Sequence, residues 1–178
     1  MERNNRTTKI INIAFLIAIE IVLTRFCSVN TTFIRLGFGF IPVAMTSIMY
    51  GPLWAGTAYA IGDVLGMMVF PTGGTYFPGW TLTAFLTGIV FGLVLHGKTV
   101  TWKRSIIASI IVVLVLNLGL DTYWLTLMYG QGYLALLPLR LLKCILTIPV
   151  QTILIPLVWN KIFKRIPQLQ FNQKKADL

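Results

Sequence analysis

Seven polar side chains stand out inside, or at the edges of, runs that are otherwise apolar, Glu20, Asp63, Asn117, Asp121, Arg140, Lys143 and Gln151, while Arg25 ends the first run and Arg35 lies in the loop before the second. A charge at the centre of a membrane helix costs about 2.5–3.5 kcal/mol on insertion scales, so it faces a partner or a wet cavity. Arg25, Asp121, Arg140 and Lys143 fall near those ends of their runs that point to one side, and they converge on a pocket open to that side. The plainer alternative is that they pair with one another, Asp121 with Arg140 for example. Glu20, one turn before Thr24, reads as structural or interfacial.

Aromatic residues crowd the same depth: Phe38, Phe40, Tyr76, Phe77, Trp80, Tyr123 and Trp124. They could stack on a flat ring, or form the interfacial belt in which Trp and Tyr are enriched. The second, fourth and sixth apolar runs begin on this side. Their helix N-termini add partial positive charge and free N–H groups. Pro138 suits the first turn of the sixth helix, where its missing donor costs nothing. With Arg25, Arg35, Arg140 and Lys143, the result is a pocket for an anion. The chemistry describes a captured solute with carboxylates and an aromatic system.

Other chemistry finds no support. Gly92-Leu-Val-Leu-His-Gly97-Lys98-Thr99 matches the phosphate-loop pattern by letter. A phosphate loop needs a strand before it and free backbone N–H groups, whereas Gly92 to Leu95 finish an apolar helix. Lys98 reads instead as a cation that sets topology. His96, the sole histidine, has no acid paired with it. HExxH, CxxC and nucleophile-elbow patterns are absent, so no enzyme, metal or cofactor is expected. Cys27 and Cys144 cannot build a disulfide framework or a zinc site, and are expected to act as small apolar residues, although their expected depths leave a pair open.

The elements that position these residues follow from composition and charge. Of the 178 residues 56% are hydrophobic and 11% charged, which excludes an ordinary soluble domain. The net charge of +10 does not signal nucleic acid, because the cations flank apolar spans and suit anionic lipid headgroups. Eleven of the 15 Lys and Arg residues fall in three clusters: Arg3, Arg6 and Lys9; Lys98, Lys103 and Arg104; and Lys161, Lys164, Arg165, Lys174 and Lys175. A membrane helix needs roughly 20 apolar residues. Six segments are expected, at about 8–26, 38–50, 52–69, 81–96, 102–129 and 138–163, with a basic tail at 164–178. The second is short and must tilt or draw on the loop before it. Run 10–23 ends in Arg25-Phe26-Cys27, without the small residues of a cleavage site, and reads as the first membrane helix. The expected fold is therefore an all-α integral membrane protein, a six-helix bundle with both termini cytoplasmic by the positive-inside rule. Small residues recur every four positions in three helices: Ala14 and Ala18; Ala58, Gly62 and Gly66; Ala84, Gly88 and Gly92. Such ladders let backbones approach in lipid. The second and third read as packing within the bundle. The first could face lipid and await a partner protein.

Arg35-Leu-Gly-Phe-Gly-Phe-Ile-Pro-Val-Ala44 and Tyr76-Phe-Pro-Gly-Trp-Thr-Leu-Thr-Ala84 resemble the folate-specific substrate-binding (S) components of energy-coupling factor (ECF) vitamin transporters. Ala14-Phe-Leu-Ile-Ala18 looks like the Ala-x-x-x-Ala docking motif of their first helix. The resemblance covers nearly the whole chain. It implies a bacterial plasma-membrane subunit that binds folate or a reduced folate from outside and then topples. It would dock on a transmembrane coupling protein (EcfT) and two ECF ATPases, which hydrolyse the ATP. The loops 27–38 and 71–80 would gate the pocket. Arg25, Arg35, Arg140 or Lys143 would hold the glutamate carboxylates, arginine doing so bidentately. Asp121, ahead of Asp63, would accept the pterin N–H donors. Phe38, Phe77 and Trp80 would stack on the rings, and Asn117, Thr81 and Gln151 would complete the polar edge. The matched motifs themselves carry only Arg35, Phe38, Phe77, Trp80 and Thr81. Two rivals stand beside this reading: the same fold holding another flat vitamin or modified base, and a stand-alone secondary transporter of an anionic solute.

Overall fold

A computed structural model describes residues 2–30, 35–70, 76–130 and 133–161. The basic tail at 164–178 and parts of both expected gating loops lie outside the described residues, as does the side chain of Arg35. The chain runs α1 (Glu2–Arg25), β1 (Ser28–Asn30), β2 (Arg35–Gly37), α2 (Phe40–Tyr50), α3 (Pro52–Val69), α4 (Pro78–Leu95) and α5 (Trp102–Ile110). A π-helical stretch (Ile111–Leu120) joins α5 to α6 (Asp121–Tyr129), and α7 (Tyr133–Lys161) follows. Because α5, the π stretch and α6 run on without a break, the described residues make six helical rods. Four contain stretches long and apolar enough to cross a membrane: Arg6–Arg25, Pro78–Leu95, Trp102–Met128 and Arg140–Lys161.

α2 explains its own shortness. From Pro42 to Ile48 every residue is buried, and α1, α3, α4 and α7 all pack around it. A helix apolar on all sides belongs at the centre of a bundle. The core is built on it: Val43, Ala44, Met45 and Ile48 meet Phe91 and Leu95 of α4, Val112 and Leu116 of the π stretch, and Ile155 and Trp159 of α7. The outer faces stay apolar. Phe15, Met68, Leu93 and Ile145 are all exposed, as lipid-facing side chains should be.

The α3–α4 pair is the closest contact, and glycine permits it. A Cβ on Gly88 would lie 2.6 Å from the backbone of Ala55 and Gly56, and one on Gly56 would lie 2.9 Å from Phe85 O. Gly92 sits against Pro52. Both ladders, Ala58-Gly62-Gly66 and Ala84-Gly88-Gly92, are buried, whereas Ala14 and Ala18 are exposed on α1. At the end of the bundle holding the α1 N-terminus, Lys9 Nζ lies 4.2 Å from the Trp54 ring centroid and Asn12 Nδ2 donates to Tyr50 Oη at 3.0 Å. His96 Nδ1 is 3.0 Å from Ile48 O at this same end.

Several elements differ from expectation. The segment before α2 is a hairpin, with Ser28, Val29 and Asn30 paired antiparallel to Gly37, Leu36 and Arg35. α4 begins at Pro78 rather than 81, since proline is favoured at a helix start. Pro138 is not in the first turn of its helix. α7 starts at Tyr133 and carries Pro138, Pro149 and Pro156 internally. Membrane helices tolerate internal proline because neighbouring helices and side chains re-satisfy the freed backbone groups.

Candidate ligand-binding site

The α1 C-terminus, the hairpin, the α3 C-terminus, the α4 N-terminus, α6 and the α7 N-terminal half meet at the end of the bundle opposite the Lys9 cluster. Polar groups form a chain across this end. Arg25, buried, reaches from α1 to α3, where Nη1 contacts Met67 Sδ at 3.3 Å and Nη2 contacts Asp63 O at 3.5 Å. Gly66 makes room for it, because a Cβ there would lie 2.9 Å from the guanidinium. The half-buried Asp63 carboxylate accepts a 3.0 Å hydrogen bond from Thr81 Oγ1, which also lies 3.0 Å from Tyr76 Oη. An acid, a hydroxyl and a phenol thus stand together where α3 meets α4, and Tyr76 is exposed.

Aromatic rings flank this triad. Phe77 and Trp124 lie with centroids 5.5 Å apart, and Tyr123 packs on Trp124 at 5.2 Å. Trp124 Nε1 donates to Thr83 Oγ1 at 3.2 Å, which anchors α6 on α4. Gly79 lets the rings lie over the start of α4, since a Cβ there would meet Phe77 and Trp124. Phe38 stands 43% exposed at the hairpin exit, open to a ligand.

The third group is ionic. Arg140 of α7 and Asp121 of α6 lie 3.9 Å apart, and both are more than nine-tenths buried. Arg140 Nη1 also donates to Asn117 O at 3.1 Å, in the π stretch. The Lys143 charge acts on the same carboxylate. Asp121 Oδ2 faces Arg140, while Oδ1 has no hydrogen-bond partner among the described residues. The pairing of Asp121 with Arg140 is therefore present, with one carboxylate oxygen left over.

Arg25, Phe38, Phe77, Trp80, Thr81, Asn117, Asp121, Arg140 and Lys143 all come to this end. Arg35 has its backbone in β2, and its side chain lies outside the described residues. Gln151 is eleven residues beyond Arg140 on α7, roughly 16 Å deeper at 1.5 Å per residue, and is buried. It does not join the group. One participant was not anticipated, Thr83 as the partner of Trp124, and Asp63, expected second to Asp121, is the more open acid. The position of Thr83 one turn from Thr87 and Gly79 was the available signal. Glu20 is elsewhere, buried against Gly62 in a cleft that Thr46 and Tyr59 also line.

Acceptors from Asp63 and Asp121, cations from α1 and α7, and exposed rings on the rim equip this end to hold an anionic solute with a flat, hydrogen-bonding ring. By fold and site the molecule is a multi-pass membrane protein with a polar cup at one end. Residues 8–159 match the family model described as ECF transporter, substrate-specific component, and the chain belongs to that family. It is 43% identical over 166 residues to the folate transporter FolT of Clostridium novyi (strain NT), covering 93% of this chain and 94% of that one. It is 32% identical over 152 residues to the FolT of Leuconostoc mesenteroides subsp. mesenteroides, covering 82% and 80%. Among solved structures it resembles FolT bound with folic acid, at a TM-score of 0.82 and 40% identity over 88% of this chain and 94% of that one.

Proposed function

We propose that this chain is the folate-binding S component of an ATP-driven ECF importer, a multi-pass subunit of the bacterial plasma membrane that captures folate or a reduced folate from outside. The observation that carries the reading is its likeness, at 40% identity along most of its length, to FolT holding folic acid. The cup fits that ligand. Asp63, with Thr81 and Tyr76 beside it, offers acceptors to the pterin N–H groups, and the Asp121 oxygen without a partner among the described residues is a second candidate. Phe38, Phe77 and Trp80 supply ring faces. Arg25, Arg35, Arg140 and Lys143 supply charge for the glutamate carboxylates, and Asn117 the polar edge.

The six rods are read as six crossings with both termini cytoplasmic, which places the cup outside. Ala14 and Ala18, exposed on α1, form the face that docks on the coupling protein EcfT, whose two ECF ATPases hydrolyse ATP. Competition binding tests the ligand. Purified protein should retain folic acid undisturbed by excess thiamine, riboflavin or queuine-type bases, and displacement by any of these would reassign it. Ala14→Trp tests the docking face. Folate binding should be unchanged while uptake with the coupling module is lost, because bulk at a close-packed small position blocks helix approach. Loss of binding would place that face inside the bundle instead.

A further inference from the structure

Below the cup, the contact between α5 and α7 contains polar groups that the helices do not satisfy. Ser105 and Ser109 of α5 are 0% exposed, and Gln151 and Thr152 of α7 are 4% and 9% exposed. Among the described residues, Ser105 Oγ, Ser109 Oγ, Gln151 Oε1 and Thr152 Oγ1 have no hydrogen-bond partner. Most other buried or half-buried hydroxyls behave differently, Thr122 on α6 excepted. Those of Thr46, Thr83, Thr87, Thr126 and Thr147 each donate to the carbonyl four residues back, at 2.7–3.2 Å.

The helix register brings the four together. Arg140 reaches Asn117 O, and Cys144, four residues along α7, approaches Val113 O, four residues back on the facing rod. The same antiparallel step sets Ile148 level with Ser109 and Thr152 level with Ser105. At 100° per residue, Gln151 returns to within about 20° of Arg140, and so to the side of α7 that faces this rod.

We propose that the α5–α7 contact holds ordered water molecules bound by Ser105, Ser109, Gln151 and Thr152. Buried polar atoms that lack a protein partner are commonly satisfied by internal water, which itself takes two to four hydrogen bonds. All four ligands are neutral. Among the described residues no group of His, Cys, Asp or Glu is placed to hold a metal ion, and a cation here would be desolvated without a neutralising carboxylate. In lipid, apolar contact gives helices no drive to associate, so bridging water acts as polar glue. It holds α7, and with it Arg140, at a fixed depth against the rod that carries Asp121.

The experiment uses the full chain in detergent. If water bridges the helices, Ser105→Ala and Thr152→Val each remove a partner and lower Tm by about 2–4 °C, the scale for a single hydrogen bond in a chain of this size. The double variant loses less than the sum, because both residues hold the same water. A raised or unchanged Tm would overturn the proposal, since a dry contact gains when a buried orphan hydroxyl is removed. A high-resolution crystal structure supplies the second measurement. Solvent peaks within hydrogen-bond distance of Ser105 and Thr152 support the proposal, and hydroxyls turned back onto their own helices contradict it. Stabilisation by sodium chloride but not by choline chloride at equal ionic strength would assign the site to a cation instead.

Discussion

The α3–α4 and α6–α7 contacts hold helices together by opposite means. Between α3 and α4 the backbones touch through Gly56, Gly88 and Gly92, and the Asp63–Thr81 hydrogen bond is added toward one end. Between α6 and α7 the contact runs through a buried carboxylate, a guanidinium and a π-stretch carbonyl. Close packing of small residues and interhelical polar bonds are the two devices available in lipid. The first gives rigidity and tolerates no added volume. The second leaves Asp121 Oδ1 without a hydrogen-bond partner among the described residues, and depends on every charge keeping its partner. The cup lies where the two meet: the open acid Asp63 on the rigid side, the paired Asp121 on the ionic side.

The comparison breaks hardest at the glycine contact. Gly88→Val should prevent recovery of folded protein in detergent, a loss above about 4 kcal/mol, since a side chain there meets backbone that cannot rotate away. Size-exclusion and thermal unfolding would show it, and normal behaviour would mean the helices are not in backbone contact. Arg140→Ala comes next. It takes the paired guanidinium from the buried Asp121 and leaves only the Lys143 charge acting on that carboxylate, at a cost of up to about 3–5 kcal/mol. Adding Asp121→Asn should restore much of the stability without restoring folate affinity. A double variant no more stable than the single would show that the pair is not coupled.

Smaller effects sharpen the division of labour in the cup. Arg35→Ala should weaken folate binding by about 1.5–3 kcal/mol, the scale of a charge-assisted hydrogen bond, and an unchanged affinity would remove Arg35 from the site. Trp124→Phe keeps the ring contact with Phe77 and deletes only the bond to Thr83. About 0.6 kcal/mol of stability is expected to go, the average for an interhelical hydrogen bond in a membrane. A loss several times larger would mean that Trp124 does more than tie α6 to α4.

What was readable beforehand follows from which forces leave a pattern. The glycine ladders of α3 and α4 are written at fixed spacing, and both proved buried, because close approach demands small residues at each turn. The buried pairing of Asp121 with Arg140 was foreseeable from the cost of charge in lipid. The π stretch at Ile111–Leu120 was hidden, because its composition is that of any apolar helix and only its bonding to the fifth residue distinguishes it. The pairing of Ser28–Asn30 with Arg35–Gly37 had a faint signal in the β-branched residues Val29, Thr31, Thr32 and Ile34, a run too short to stand out beside the apolar spans. The depth of Gln151 has no local signature, because placing α7 against the pocket requires the register that Arg140 and Cys144 set. The partnership of Asp63 with Thr81 joins two helices across 18 residues and has no local signature.

Capture of folate at an outward-facing cup is tested most directly at Phe38, exposed on its rim. A Phe38→Cys variant carrying Cys27→Ser should react with a membrane-impermeant thiol reagent added outside right-side-out vesicles, and saturating folic acid should slow that reaction at least tenfold. Labelling only from the inner face, or labelling indifferent to folic acid, would contradict it.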